Sequence, residues 1–396
     1  MIARYRTVLI VPGAFRLYAT TIFARLPQGM GTLAVLLLVR GVTHSYALAG
    51  LATGGQALAS AAAGPWQGRL VDRFGRTRVL LPAAVAQAAF FVGLVLGGRA
   101  HIPGGLLVVI ACGTGAFQPA LAPAMRALLR SVFGDPEVRE TAYALESVSQ
   151  ELIWMTGPLL VAAVVTATSA EIAALLCAVV TIVGTLAFVS SPASRARAQA
   201  VGHDRAAAAV LRTHPELRDL LVPVALMGLA IGATEVGIPS LALHAGSKGD
   251  TGLLLAVWSA GSMIGGLLYG AHTWRLPLAE RYRRLLMLAV VCAVPLTLAH
   301  TVGFGLVGSL FTGLTIAPVF SCQYALIGRA VADGSETEAF TWVSSALVAG
   351  LAAGSAIGGA VIGSFGVSAP FVISCVALAA AAATSVRARQ LARVTA

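Results

Sequence analysis

Long apolar stretches separated by short polar connections make up most of the chain. A helix that crosses a bilayer needs about 20 mostly apolar residues, and about twelve stretches approach or exceed this length. The predicted spans are residues 17–39, 46–68, 78–98, 104–127, 141–166, 170–190, 219–242, 251–271, 285–301, 303–328, 339–363 and 367–386. Continuous apolar runs favour helices over the alternating strands of a membrane barrel. The pattern therefore predicts an all-α polytopic membrane protein with about twelve transmembrane helices.

The longest polar stretch, residues 191–218, lies near the midpoint of the chain and divides six predicted spans from six. This division predicts a six-helix bundle over residues 1–190, a cytoplasmic linker over 191–218 and a second six-helix bundle over 219–396. An internal repeat supports it, because residues 115–130 align without gaps on residues 314–329 at an offset of 199. Helices rich in alanine and glycine also give chance matches, which is the alternative explanation of the alignment.

The composition agrees with a chain whose main solvent is lipid. Of the 396 residues, 58% are hydrophobic and 11% are charged, and the mean hydropathy is +0.85. A soluble domain carries about 25% charged residues. The soluble globular and the disordered classes are therefore excluded.

The basic residues indicate the orientation in the membrane. The net charge is +11, and Lys248 is the only lysine among the 27 basic residues. With a cytoplasmic N-terminus, only Arg40, Arg99 and Lys248 fall in external connections, which follows the positive-inside rule. Arginines placed between apolar spans are typical of cytoplasmic loops and not of a nucleic-acid surface. We expect a plasma (inner) membrane protein with both termini in the cytoplasm and no nucleic-acid partner.

The sequence lacks the patterns that would indicate an enzyme, a bound metal or a cofactor. Its five cysteines lie inside apolar runs without C-x-x-C spacing, and its seven histidines are scattered. A phosphate-binding G-x-x-x-x-G-K-[ST] run, which a primary pump would need, does not occur. We expect no enzyme activity, no metal and no cofactor.

The connection between the second and third predicted spans reads GRLVDRFGRTR, beginning at Gly68. Gly68 permits close helix approach, and Gly75 can adopt the positive φ of a tight turn. Asp72 is the one acid beside Arg73 and Arg76, and it can accept hydrogen bonds from an arginine or from a helix N-terminus. An arginine cluster that only sets the topology would explain the charges but not the glycines and the acid at this spacing.

This loop resembles the signature of the major facilitator superfamily, G-x-L-x-D-R-x-G-R-(K/R), with Thr77 in place of the usual basic residue. The resemblance extends to the number of spans and the central linker. It implies two six-helix bundles around a central cavity that opens to each side in turn. It also implies that Asp72 latches the cytoplasmic gate, with Arg126 as a partner. The corresponding loop of the second half, from Gly270, lacks an acid at the matching place, so a second latch of this kind would be degenerate.

Gly157 and Pro158 in the fifth predicted span resemble the antiporter motif of the same family. Val161 and Ala162 stand where that motif has further glycines. The motif would favour export, and the alternative is a proline kink that the neighbouring glycine eases.

Charged side chains inside membrane spans are costly and often functional. Arg25 lies about 12 Å and Glu151 about 15 Å from the inner ends of their spans at 1.5 Å per residue, which allows an ion pair between them. We expect Glu151, modulated by Arg25, to be the proton-coupling site. The alternatives are a permanent structural pair or an arginine that snorkels to the interface. Glu146, about 140° around the helix from Glu151, and Glu235, which could be interfacial, are further coupling candidates.

Nine polar and aromatic residues lie in the spans that line the pathway in the family. These candidates for the substrate cavity are Gln28, Gln56, Gln118, Gln150, Trp154, Trp258, Gln323, Tyr324 and Trp342. Amides fix the orientation of a ligand and aromatic rings give adaptable apolar contacts, although helix–helix contact is the alternative role for each residue. The set predicts a mostly apolar cavity that suits lipophilic or mixed solutes.

The sequence therefore predicts a secondary active transporter that works by alternating access and exports small organic or lipophilic compounds in exchange for protons. The alternative is proton-coupled uptake of a sugar or a similar small metabolite. The expected partners are a small-molecule substrate, protons and the lipid bilayer. Because one chain holds both bundles, we expect a functional monomer.

Overall fold

The computed structural model describes residues 2–195, 210–245, 250–331 and 334–385. Within these ranges every regular element is a helix, which confirms the predicted all-α class. The predicted linker 191–218 lies partly outside the described residues.

Sixteen helices follow one another along the described chain. The first half contains α1 (Ile2–Ile10), α2 (Ala14–Thr43), α3 (Tyr46–Phe74), α4 (Arg76–Arg99), α5 (Gly104–Ala116), α6 (Leu121–Val132), α7 (Pro136–Ala167), α8 (Ala170–Val189) and α9 (Pro192–Arg195). The second half contains α10 (Val210–Thr213), α11 (Pro215–His244), α12 (Asp250–Ala271), α13 (Leu278–Thr297), α14 (Val302–Ala330), α15 (Glu336–Phe365) and α16 (Ala369–Thr384).

The predicted spans correspond to these helices, with one interruption. Span four is broken into α5 and α6 by residues 117–120, which include Pro119, a residue that has no N–H to continue a helix. In the described part of the chain, nine helical segments are long and apolar enough to cross a membrane when α5 and α6 are counted as one. The helices α3, α13 and α16 complete the predicted twelve.

Short polar side chains fix where several helices begin. Ser45, Ser169 and Thr301 each accept a hydrogen bond from a backbone N–H in the first turn of α3, α8 and α14. Asp135 caps α7 in the same way. These side chains satisfy N–H groups that the helix itself leaves without a partner. Gly75, at φ 87°, makes the sharp connection between α3 and α4, which the sequence predicted.

The helices form two bundles. In the first half α2 packs on α8 and α3 packs on α5, and in the second half α11 packs on α15 and α12 on α14. Small residues allow the closest approaches: a Cβ at Gly313 of α14 would lie 3.0 Å from the carbonyl carbon of Trp258 on α12. Between the bundles, α3 packs on α15, and α7 packs on α12 and α14.

One side of the molecule gathers α1, the end of α3 and the starts of α7 and α15. Contacts join them directly, such as those of Arg4 with Glu137 and of Asp72 with Glu338. We call this side the arginine-rich face, and it is the side that the sequence predicts to be cytoplasmic. It is where the two bundles meet, and it frames the site described next.

Candidate transport pathway

A cluster of buried polar side chains lies between α2, α6 and α7. Nη1 of Arg25 is 2.7 Å from Oε1 of Glu146, and each side chain is 1% exposed. Nε of Arg126 is 3.5 Å from the same carboxylate oxygen, and Gln150 accepts hydrogen bonds from both guanidinium groups. One carboxylate therefore neutralises parts of two cations at a depth where unpaired charge is costly.

Arg126 also links this cluster to the second bundle. Its Cζ lies 4.0 Å from the centroid of the Tyr324 ring on α14, and its Nη1 donates to Oγ of Ser344 on α15 at 3.4 Å. A guanidinium stacked on an aromatic ring away from water is a favourable pair. Arg126 is thus shared between the bundles, and any motion that separates them has to break these contacts.

A group of aromatic rings packs beside the charge cluster at the contact between the bundles. Tyr143, three residues before Glu146 on α7, has its ring 6.3 Å from the rings of both Tyr324 and Phe340, and Phe320 stacks on Tyr324 at 6.0 Å. All four rings are buried. Tyr143 belongs to the first bundle and the other three rings to the second, so these rings pack the two bundles against each other.

The predicted ion pair between Arg25 and Glu151 is wrong. Arg25 pairs with Glu146 instead, because Glu146 and Gln150 are four residues apart on the side of α7 that faces α2. Glu151 follows Gln150 by one position, which turns it about 100° around the helix. Depth along the span allowed either acid to be the partner of Arg25, and the rotation of α7 about its axis selects Glu146.

Glu151 instead faces the second bundle. It is half-buried, and its carboxyl lies beside the Ser262 hydroxyl of α12 and within electrostatic reach of Glu235 on α11. Glu235 is exposed although protein surrounds it, and Thr234 next to it is buried against Ser374. Glu151 of the first bundle and Glu235 of the second therefore interact electrostatically across the bundles.

Asp72 makes a contact across the bundles, but its partners are backbone amides of α15 and not Arg126, which corrects the expected pairing. Its carboxylate accepts hydrogen bonds from the backbone N–H of Thr337 at 3.2 Å and of Glu338 at 2.8 Å. These amides belong to the first turn of α15, whose own cap residue Ser335 makes no side-chain bond to them. An acid at a helix N-terminus is favourable for both the hydrogen bonds and the helix dipole.

Two residues near Asp72, Gly68 and Arg69, also contact α15, while Arg73 and Arg76 have partners within the first half. Gly68 lies against α15, where a Cβ would come within 2.8 Å of Cα of Glu338. Arg73 stacks on the neighbouring Phe74 ring at 5.0 Å. Arg76 donates to the carbonyl oxygen of Ser194 at 3.3 Å. Arg69, which the sequence analysis did not single out, pairs with Glu338 at 2.8 Å.

A second set of charge contacts on the arginine-rich face was missed by the sequence analysis. Glu140 of α7 pairs with Arg281 of α13 at 2.9 Å and with Arg329 of α14 at 3.3 Å. Arg130 at the end of α6 lies 3.8 Å from Glu336 of α15. Arg130 and Arg329 end the two aligned repeat segments, and each reaches an acid of the opposite bundle. The repeat was the sequence signal that could have found these partners.

Comparison with known families decides the identity of this two-bundle fold. The sequence model described as Major Facilitator Superfamily matches residues 17–301. The chain belongs to the major facilitator superfamily. It is therefore a multi-pass transmembrane transporter and not an enzyme.

One curated protein and several solved structures are similar to this chain. A puromycin resistance protein of Streptomyces alboniger is 40% identical over 78 residues, which is 20% of this chain and 15% of that protein. The human organic anion transporter MFSD10 has a similar structure with 18% identity, coverage of 96% of this chain and 99% of the other, and a TM-score of 0.68. A bacterial homologue of the iron transporter ferroportin, in an outward-facing state, has 14% identity, coverage of 95% and 99%, and a TM-score of 0.75. The fucose:proton symporter of E. coli has 11% identity, coverage of 96% and 99%, and a TM-score of 0.73. At these identities the structures establish the fold alone.

The predicted cavity residues of this superfamily member occupy four kinds of place. Gln56 donates to Thr114 at 2.8 Å inside the first bundle, while Gln28 and Gln118 are half-buried with long contacts of 3.5 and 3.4 Å to Arg25 and Ser60. Gln150 and Tyr324 belong to the charge cluster. Trp154 is 48% exposed. The polar side-chain nitrogens of Trp258, Gln323 and Trp342 are buried without a protein partner in the described residues.

Gly157 and Pro158 both lie inside the continuous α7. A Cβ at Gly157 would lie 2.7 Å from Cα of Gly29 on α2, so the glycine permits α2 and α7 to touch through their backbones. This contact lies close along the chain to Arg25 and Glu151. The contact between Gly157 and Gly29 thus sets the distance between α2 and α7, the helices that carry Arg25 and Glu151.

Proposed function

We propose that the protein exports small organic or lipophilic compounds in exchange for protons. The observation that carries this proposal is the placement of Glu151 and Glu235 on opposite bundles, within electrostatic reach of each other. The alternative, proton-coupled uptake of a sugar or a similar metabolite, uses the same fold. We further propose a plasma (inner) membrane location with both termini in the cytoplasm, two bundles over 1–190 and 219–396, and a functional monomer.

The two acids of α7 have different surroundings, which suggests different roles. Glu146 lies between two guanidinium groups that stabilise its charge. Glu151 lies beside the Ser262 hydroxyl and within electrostatic reach of the Glu235 carboxylate. Two carboxylates in an environment of low dielectric repel one another, and protonation of one relieves the repulsion. We therefore assign proton exchange to Glu151 and Glu235. The Arg25–Glu146–Arg126 cluster then responds to the change in their charge and alters the contact between the bundles.

The closed arginine-rich face fits one state of the transport cycle. Asp72, Arg281 and Arg329 hold the bundles together there, so the space between the bundles would be reached from the opposite side. In that state an exporter takes up protons and releases its substrate. The partial similarity to a puromycin resistance protein supports export, while the similarity to a proton symporter keeps uptake open as the alternative.

The proposal is tested with purified protein in sealed vesicles across an imposed pH gradient. Lumenal pH is followed while lipophilic cations, sugars and amino acids are added, for the native protein and for Glu151→Gln and Glu235→Gln. Glu171→Gln is the matched control, because Glu171 in the first turn of α8 pairs with Arg99 at the end of α4, and both helices belong to the first bundle.

If the protein is an exporter, protons should move in the direction opposite to an added lipophilic compound. This proton movement should be lost in Glu151→Gln and unchanged in Glu171→Gln. Proton movement in the same direction as a sugar or an amino acid would establish the symport alternative. Unchanged coupling in both Glu151→Gln and Glu235→Gln would overturn the assignment of these acids.

A further inference from the structure

The N-terminal helix α1 lies across the junction of the two bundles on the arginine-rich face. It is separated from α2 by residues 11–13, where Gly13 has φ 84°. Val8 on its inner side is completely buried, and α1 packs on α7 and α12 as well as on α2. A nine-residue helix is too short to span a bilayer, so α1 has a different role from the helices that follow it.

Two neighbouring side chains of α1 connect it to both bundles. Nη2 of Arg4 pairs with Glu137 at the start of α7 at 2.9 Å, while its Nη1 donates to the carbonyl oxygen of His272, just after α12, at 2.6 Å. The Tyr5 hydroxyl donates to the carbonyl oxygen of Leu267 near the end of α12 at 2.7 Å. One guanidinium thus bridges an acid of the first bundle and a carbonyl group of the second.

We propose that α1 is a strap that holds the arginine-rich face closed, and that its bonds to the α12 end must break before this face opens. Alternating access requires α7 and α12 to separate on this face. Arg4 cannot keep partners on both helices when they do, and Tyr5 has to leave the α12 carbonyl groups. The strap rests on the family's alternating access and is independent of which ion is coupled.

The local sequence is adapted to this contact. A Cβ at Gly270 would lie 2.5 Å from the Tyr5 hydroxyl and 2.5 Å from Cβ of Ala144 on α7, so glycine leaves the space in which α1, α7 and α12 meet. Burial raises the pKa of Tyr5 to about 12, which keeps its hydroxyl a donor at every physiological pH. The strap contact through Tyr5 is therefore insensitive to the pH changes that accompany transport.

The experiment measures opening of the arginine-rich face with a reporter at a different helix pair. Thr341 of α15 is buried against Gly68 of α3, so Thr341→Cys becomes reactive when the bundles separate. In a background without the five native cysteines, its labelling by a polar maleimide is timed in nanodiscs without substrate or pH gradient. Tyr5→Phe and Arg4→Gln, singly and together, are compared with Arg6→Gln, which changes an exposed side chain of the same helix.

Each lost hydrogen bond is expected to speed labelling by about two- to tenfold, and the double variant by more than either single change. Arg6→Gln is expected to label at the parent rate. Equal rates for Tyr5→Phe, Arg4→Gln and Arg6→Gln would overturn the strap. Since the measurement needs neither substrate nor protons, a failed transport assay leaves its result unaffected.

Discussion

Arg25 and Glu146 form an ion pair that is almost wholly removed from solvent, with 2.7 Å between Nη1 and Oε1. Arg126 shares the same carboxylate and also stacks on Tyr324 of the other bundle. A buried carboxylate that serves two arginines is hard to replace, because its loss leaves cations without compensation in a medium of low dielectric. The pair therefore ties the stability of the first bundle to the contact between the bundles.

The change Glu146→Gln is expected to destabilise the protein strongly. Breaking a buried ion pair from one side costs about 3–5 kcal/mol, since Arg25 and Arg126 would lose their common partner. Thermal unfolding in detergent measures the effect, and the double change Arg25→Gln with Glu146→Gln should recover part of the loss. A melting temperature equal to that of the native protein would show that the pair contributes little.

Replacing the ring under Arg126 should weaken closure of the arginine-rich face more than it weakens folding. Tyr324→Leu removes the cation–π contact, which is worth about 2 kcal/mol when it is desolvated. We expect faster labelling of Thr341→Cys in this variant, because Arg126 loses its hold on α14. Tyr324→Phe keeps the aromatic face and is the control. If Phe and Leu have the same effect, the hydroxyl and not the ring carries the contact.

Most of the fold was predictable from the sequence, because the length and spacing of apolar runs determine helices in a bilayer. The loop around Asp72 was recognisable, but its partners are the backbone amides of Thr337 and Glu338, and backbone groups leave no sequence signature. The predicted partner of Arg25 was wrong for a related reason. Position along a helix follows from counting residues, whereas the rotation that turns Glu146 and not Glu151 toward α2 depends on the packing of several helices.

A side chain at Gly68 is expected to act as a wedge between the bundles. In Gly68→Ala the new Cβ would come within 2.8 Å of Cα of Glu338 and 2.9 Å of the carbonyl oxygen of Thr337, and backbone atoms cannot move aside cheaply. The arginine-rich face should then open more readily, which labelling of Ser147→Cys would detect, because Ser147 of α7 is buried beside Gly266 of α12 and not beside Gly68. Gly54→Ala on the same helix meets no atom within 4 Å and should behave like the parent. Equal labelling of the two variants would contradict the wedge.

Two aspartates cap helices in similar ways, and their removal should have different consequences. Asp135 accepts from the amide of Glu137 at 2.7 Å within the first bundle, whereas Asp72 accepts from that of Glu338 across the bundle interface at 2.8 Å. Loss of a cap costs about 0.5–2 kcal/mol. In Asp135→Ala this cost should appear as a lower melting temperature with unchanged labelling of Thr341→Cys.

In Asp72→Ala the same cost falls on the closed state alone, because only that state brings α3 to the start of α15. We therefore expect labelling faster by about two- to thirtyfold, which corresponds to the same range of free energy, with little change in melting temperature. Asp72→Asn keeps an acceptor oxygen without the charge, so its labelling rate should lie between those of the parent and of Asp72→Ala. A drop in melting temperature without faster labelling would mean that Asp72 stabilises the fold and does not latch the gate.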